Sequence, residues 1–281
     1  MDKFERFLDR AERLMDRLER ILPRPPSSGA DWDAALAFRW EQGRLVPVPH
    51  LHRVRLDDLL RIDSQKHIIA QNTCQFVQGK PANNALLTGA RGTGKSSLVK
   101  ALLNEYAKDG LRVIEVGKPQ LAELPHIIGL VTGRPERFIL YCDDLSFNAD
   151  EPGYPALKAA LDGSLTALSD NLLIYATSNR RHLMPEYMEE NLATKYVGEE
   201  VHPGESVEEK ISLSERFGLW VSFYPFSQED YLSIVEHWLR HLGVKAMDDA
   251  ARQGALQWSI QRGSRSGRVA WQFARDWAGR R

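Results

Sequence analysis

Residues 89–96, Gly-Ala-Arg-Gly-Thr-Gly-Lys-Ser, carry the spacing GxxxxGK[ST] in full. Glycines at these positions let consecutive backbone N–H groups curl around phosphate oxygens, and a helix beginning directly behind them adds its positive end. Lys95 is placed to reach the β- and γ-phosphates of a nucleotide, and the Ser96 hydroxyl to ligate Mg²⁺. The expected phosphate-binding set is Gly89, Ala90, Arg91, Gly92, Thr93, Gly94, Lys95, Ser96 and Ser97. Further on, the apolar run Phe138-Ile-Leu-Tyr-Cys ends in two carboxylates, Asp143 and Asp144. Asp143 is expected to hold Mg²⁺ through water, and Asp144 to orient or deprotonate an attacking water. A third apolar run, Leu172–Thr177, ends in Ser178-Asn179. Its terminal amide can set water against a γ-phosphate, although an Asn after a strand also serves simply to cap the next turn.

These groups meet only if the three runs are neighbouring parallel strands, because ligands in such sheets bind beyond the carboxyl ends of the strands. The pattern from Arg55 onward supports that layout. Short apolar runs at Ala85–Thr88, Arg112–Val116, Phe138–Cys142, Leu172–Thr177 and Trp220–Phe223 alternate with helical stretches, including Ser97–Tyr106. Brief strands without polar alternation are what a sheet buried on both faces requires. The fold class predicted is α/β, a five-stranded parallel P-loop sheet flanked by helices. Beyond Pro225 the pattern turns helical at Gln228–Leu242, Asp248–Gln261 and Gly267–Ala278, predicting a small all-α lid in which Trp258, Trp271 and Trp277 form core.

Ahead of the sheet, residues 1–22 repeat in sevens, with Phe4, Ala11 and Leu18 at one position and Phe7, Leu14 and Ile21 at another. Each of Asp2, Asp9 and Asp16 is followed four residues later by an arginine, a helix-supporting pair. The apolar stripe needs a cover, either a partner helix, a second copy included, or the protein's own body. The Pro23–Gly29 stretch breaks that helix. A helical patch from about Asp31 to Gln42 and an extended stretch at Val46–Pro49 follow. The expected division is therefore 1–22 amphipathic helix, 23–54 linker and extension, 55–226 core and 227–281 lid.

Composition narrows the partners. In 281 residues, 37 basic and 38 acidic side chains give a net charge of −1, which excludes a generally basic nucleic-acid binder. The segment 185–210 holds eight glutamates against two lysines, whereas 262–281 holds six arginines against one aspartate. That tail admits nucleic-acid contact, which is not favoured because Arg268 has another role and the remaining arginines can be ordinary surface. Cys74 and Cys142 lack paired spacing, so no zinc site or disulfide framework is expected. No run of 18 apolar residues occurs and the N-terminus is densely charged. A reducing cytoplasm, with no membrane partner, is the expected setting.

The order of P-loop, acidic strand end, Asn-tipped strand and helical C-terminal part resembles an AAA+ ATPase. Residues 81–97 (PANNALLTGARGTGKSS), 143–147 (DDLSF), 212–218 (SLSERFG) and 266–268 (SGR) are most similar to a bacterial branch of predicted AAA+ ATPases, domain of unknown function family 815. The resemblance implies an ATP-binding, Mg²⁺-dependent ATPase that couples nucleotide to assembly and remodelling of a macromolecular partner. Arg216, shortly before Trp220–Phe223, takes the place of the arginine that enters the neighbouring subunit's site in a head-to-tail homo-oligomer. Such an arginine is worth ~10³–10⁵ in rate; a salt bridge with Glu215 or a neighbour is the simpler role for it. Arg268 resembles the lid arginine that senses the γ-phosphate, Asn179 the polar sensor, and Leu60-Arg-Ile62 the stretch whose backbone meets adenine, through Leu60 and Ile62.

One departure bears on rate. Most active AAA+ ATPases have Glu where this chain has Asp144. One methylene fewer retracts the carboxylate by about 1.5 Å, and displacements near 1 Å cost ~10² in rate, so slow turnover is expected. The alternatives are a nucleotide-gated scaffold with little hydrolysis and, further off, a P-loop kinase. Tyr196-Val-Gly198 resembles an aromatic pore loop, but such loops follow the second strand, here 117–123, where no aromatic occurs.

Overall fold

The computed structural model describes residues 32, 35–147, 153–162, 170–180, 195–197, 200–202 and 213–280. The heptad helix 1–22 and most of the acidic segment 185–210 lie outside the described residues.

In chain order the elements are β1 (Ala37–Glu41), β2 (Arg44–Pro47), α1 (Asp63–Val77), β3 (Ala85–Gly89), α2 (Lys95–Tyr106), β4 (Leu111–Glu115), α3 (Leu124–Val131), β5 (Arg137–Cys142), α4 (Gly153–Asp162), β6 (Leu172–Ser178), β7 (Lys195–Val197), β8 (Glu200–His202), β9 (Leu219–Phe223), α5 (Gln228–His241), α6 (Asp249–Gln261) and α7 (Gly267–Gly279). Seven strands form one sheet in the order β2-β1-β4-β5-β6-β3-β9. Every pairing in it is parallel except the antiparallel β1–β2 hairpin. The five expected strands are β4, β5, β6, β3 and β9, and they are contiguous. β7 and β8 pair separately as a two-stranded ribbon, so Tyr196 stands on that ribbon and not after the second strand of the core.

Two corrections concern the same stretch. Five strands were expected in the sheet and, among the described residues, it has seven, and the helical patch predicted over 31–42 contains β1 instead. Its Ala- and Leu-containing composition favours helix, but burial runs with period two: Phe38 and Trp40 are buried while Arg39 and Glu41 are exposed. The following turn places Gln42 at φ +50° and Gly43 at φ +74°, the left-handed pair that a two-residue hairpin demands. β2 then takes up part of the extended stretch, and β1 extends the sheet beside β4.

Strand alternation divides the interior into two apolar clusters. Leu86, Phe138, Leu140, Leu172 and Ile174 face one way, against α3, α4, Trp32, Phe38 and Trp40. Leu87, Ile139, Tyr141, Leu173 and Tyr175 face the other, against α1 and α2, in a cluster that continues without a break into the lid through Tyr231, Val235, Ala255 and Phe273. Lid and sheet thus share one core. Trp258 and Trp277 pack on it, and Trp271 stacks edge-on to Trp238 at 4.6 Å. Side-chain caps start the lid helices at Ser227, Asp248 and Ser266. Both cysteines are free thiols. Among the described residues no helix is long and apolar enough to cross a membrane.

Candidate nucleotide site

The P-loop follows β3 directly, and its first glycine is dictated by backbone crowding. Gly89 sits at φ +125°, and a Cβ there would stand 1.9 Å from the Phe223 carbonyl oxygen of β9. Gly92 (φ +74°) faces the lid: its missing Cβ would meet Ser266 Oγ at 2.7 Å and Arg268 Cβ at 3.6 Å. Gly94 (φ +104°) is the N-cap of α2 and has Ile62 Cδ1 3.3 Å from the same virtual position. Three left-handed glycines therefore let β9, the lid and the segment before α1 close on one loop.

Within that loop Lys95 is buried and turned back on its own main chain. Its ammonium donates to the carbonyls of Gly89 (2.7 Å) and Ala90 (2.8 Å) and to Asn179 Oδ1 (3.1 Å). Thr93 Oγ1 donates to the same Ala90 carbonyl. Burial pushes Lys95 below the ordinary lysine range, opposed by the nearby charges of Asp144 and Asp143.

The parallel register of β5 and β6 brings the acids to this lysine. Cys142 pairs with Ala176, so Asp143 and Thr177 follow side by side at the strand ends. Asp143 Oδ1 accepts from Thr177 Oγ1 (2.6 Å), Tyr141 OH (2.7 Å) and Ser96 Oγ (2.8 Å). Burial alone would raise its pKa, but those hydrogen bonds outweigh burial and leave the carboxyl below the ordinary carboxylate range. Burial, and then the charge of Asp143, drives the Tyr141 phenol well above its usual value, so it stays a donor. Asp144 lies next in the chain in the left-handed region (φ +50°). Its N–H donates to Thr177 Oγ1 at 3.0 Å and its Oδ1 accepts from Asn179 Nδ2 at 2.5 Å. Asn179 consequently bridges Lys95 and Asp144.

The donor set fits Mg²⁺. Ser96 gives its one hydrogen to Asp143 and so keeps its lone pairs for a cation, beside an ionised carboxylate. Hard oxygen donors of this kind hold Mg²⁺ together with substrate phosphates and water. Among the described residues no group of three or more His, Cys, Asp or Glu forms a metal cage of its own, and a phosphate-shared site needs none.

Of the remaining expected residues, Arg268 opens α7 against the P-loop, where Gly267 N donates to Gly92 O at 2.9 Å. Arg91 is exposed, and Ser97 is half-buried in the first turn of α2. Ile62 is buried next to Gly94, and Leu60 packs on the core cluster. Arg216 is not part of this cluster; its Nε donates to Asp162 Oδ1 at the end of α4, an acid from another element rather than the next residue in the chain. A cleft of about 520 Å³ opens between Ala90, Arg91 and Thr93 of the P-loop, the Pro225–Phe226 stretch and the α6–α7 turn. Tyr141, Thr177 and Ser266 were missed by the motif reading. The first two are polar tips on apolar strands within two residues of Asp143 and Asn179, which is the only sequence signal for them.

A P-loop opening α2, an acidic pair and an Asn on adjacent strand ends, and a helical lid touching the loop together define a nucleotide-binding fold of the AAA+ type. Solved structures agree at the level of fold. The Thermotoga maritima RuvB Holliday junction branch migration motor is 16% identical, with 79% of this chain and 63% of that chain covered and a TM-score of 0.51. A point mutant of the same Thermotoga maritima RuvB is also 16% identical, with 80% of this chain and 65% of that chain covered and a TM-score of 0.53. The Aeropyrum pernix ORC1 protein in complex with DNA is 14% identical, covering 75% of this chain and 57% of that one, with a TM-score of 0.54. The chain spans less than two thirds of the length of these proteins. Over residues 33–281 it matches, and belongs to, the family described as "Protein of unknown function (DUF815)". No curated protein matches it.

Proposed function

We propose that the chain binds ATP with Mg²⁺ and hydrolyses it slowly, coupling nucleotide state to head-to-tail assembly and to remodelling of a macromolecular partner. The observation that carries this reading is the single cluster of Lys95, Ser96, Asp143, Asp144 and Asn179 behind a glycine loop. The loop amides and Lys95 bind phosphate, with Ser97 completing the set. Ser96 and Asp143 hold Mg²⁺, which supplies charge neutralisation on the β- and γ-phosphates. Asp144, oriented by the Asn179 amide, takes a proton from the attacking water as its oxygen bonds to the γ-phosphorus and the bond to the leaving diphosphate breaks. Arg268 senses the γ-phosphate from the lid. Leu60 and Ile62 flank the adenine. Arg216, held by Asp162, serves the site of the next copy. A nucleic acid is not the favoured partner: Arg268 of the basic tail is assigned to the nucleotide, and the remaining arginines serve as ordinary surface.

Asp144 favours a second reading. Its carboxylate is short and tied to Asn179, and its backbone is left-handed, which suits a nucleotide-gated scaffold as well as a slow hydrolase. Single-turnover cleavage of radiolabelled ATP by the wild type and by Asp144→Ala separates them. Hydrolysis requires cleavage at least about tenfold faster in the wild type, since a positioned general base contributes ~10²–10⁴. Equal rates, with tight binding retained, leave the scaffold.

A further inference from the structure

Every hydrogen bond to the Asp143 carboxylate among the described residues goes to one oxygen, Oδ1. Three side-chain hydroxyls and one amide converge there from three elements: Ser96 Oγ (2.8 Å) from α2, Tyr141 OH (2.7 Å) from β5, Thr177 Oγ1 (2.6 Å) from β6, and Asp144 N (3.2 Å). Only Ser96 belongs to the phosphate-binding motif. Tyr141 is 3% exposed and Thr177 1% exposed, so both side chains are withdrawn from bulk solvent. Tyr141 lies on β5 two residues before Asp143, which directly follows the strand. Thr177 spends its hydrogen on Asp143 and its lone pair on Asp144 N. It therefore ties the carboxylate of Asp143 and the backbone of Asp144 to β6.

We propose that Tyr141 and Thr177 are positioning residues for Mg²⁺ at this site: by saturating Oδ1 from two strands they fix the Asp143 carboxylate in the pose from which it serves the metal. The inference deepens the ATP·Mg²⁺ reading and rests on it. Neither residue touches phosphate through the contacts described, so neither is needed for the P-loop to bind nucleotide without metal. Hydrogen-bond partners of metal-serving carboxylates set ligand orientation, and their loss typically lowers metal affinity ~10–100-fold. Thr177 carries a second consequence, since removing its hydroxyl also frees the Asp144 amide.

The test is calorimetric binding of the β,γ-imido analogue of ATP to the full chain, in excess Mg²⁺ and in EDTA. The ratio of the two affinities reports the metal's contribution, a quantity that a general loss of folding or packing does not change selectively. In Tyr141→Phe and Thr177→Val, affinity in EDTA is expected to stay within about twofold of wild type while the Mg²⁺ enhancement falls about tenfold or more. Thr177→Ser, which keeps the hydroxyl, is expected to restore it. An unchanged enhancement in both hydroxyl-deleted variants overturns the proposal. A parallel loss in EDTA and in Mg²⁺ overturns it too, because that is the signature of a purely structural role. A wild type that binds the analogue in neither medium refutes the nucleotide reading itself, and the proposal with it.

Discussion

Replacing Gly89 by Ala tests how tightly β9 and the P-loop are packed. The new Cβ would stand 1.9 Å from the Phe223 carbonyl oxygen, with the residue held at φ +125°. Ordinary C···O contacts begin near 3.3 Å, so the loop must retreat by about 1.4 Å. Such a retreat breaks the Lys95 hydrogen bonds to the Gly89 and Ala90 carbonyls, now 2.7 and 2.8 Å long. Backbone strain of this kind is worth up to about 3 kcal/mol, which in a domain of this size lowers the melting temperature by about 6–12 °C. Displacement of phosphate-binding groups by more than 1 Å costs ~10² in function, so ATP-analogue affinity should fall about a hundredfold. Gly110→Ala is the control. Gly110 also has a left-handed φ, +85°, but nothing lies within 4 Å of its virtual Cβ, so it should lose about 1 kcal/mol, about 2–4 °C, and no affinity. Thermal melting by circular dichroism and calorimetry read both quantities. A Gly89→Ala protein indistinguishable from the Gly110→Ala control would refute the packing argument.

Other outcomes follow from the same geometry. Arg216→Ala and Lys95→Ala should each be inactive alone and recover part of the ATPase rate when mixed, because each supplies what the other lacks; wild-type activity independent of protein concentration would count against Arg216 acting between copies. Asn179→Ala removes the bridge between Lys95 and Asp144 but leaves Lys95 its two carbonyls, so turnover should fall by ~10²-fold, the scale of one lost positioned donor, with analogue affinity nearly unchanged. Glu136 is bonded to Arg134 at 2.9 and 3.0 Å, and that bond holds its carboxyl below the ordinary value of 4.5. Its contribution is therefore complete above about pH 4.5 and fades as pH falls through the lower folded value. Denaturant melts of Glu136→Gln should accordingly show a shallower acid limb, and an unaltered limb would exclude the ion pair as its source.

The phosphate loop was legible because its chemistry is local: eight consecutive residues state both the turn and the helix that follows. The parallel strands were legible because burial on both faces leaves them apolar throughout. The β1–β2 hairpin was not. Its composition favours helix, and only packing of Phe38 and Trp40 beneath the sheet decides for strand, a tertiary effect that overrides propensity. Tyr141 and Thr177 were hidden for a related reason. Their role depends on which residues of β5 and β6 stand side by side, and register is a property of the sheet that no motif spells. The Arg216–Asp162 pair joins positions from α4 and the turn before β9, and spacing alone does not choose between Asp162 and the adjacent Glu215. Ser266 reaches Gly92 because the lid packs on the loop, a contact between segments far apart in the chain.

The most direct test is titration calorimetry of the full chain with ATP analogue and Mg²⁺, wild type beside Lys95→Ala. Saturable binding of one nucleotide per chain, reduced at least about a hundredfold by the substitution, is the expected result. A folded wild type that takes up no nucleotide, or a Lys95→Ala variant that binds it equally well, would contradict the assignment of this loop as a phosphate site.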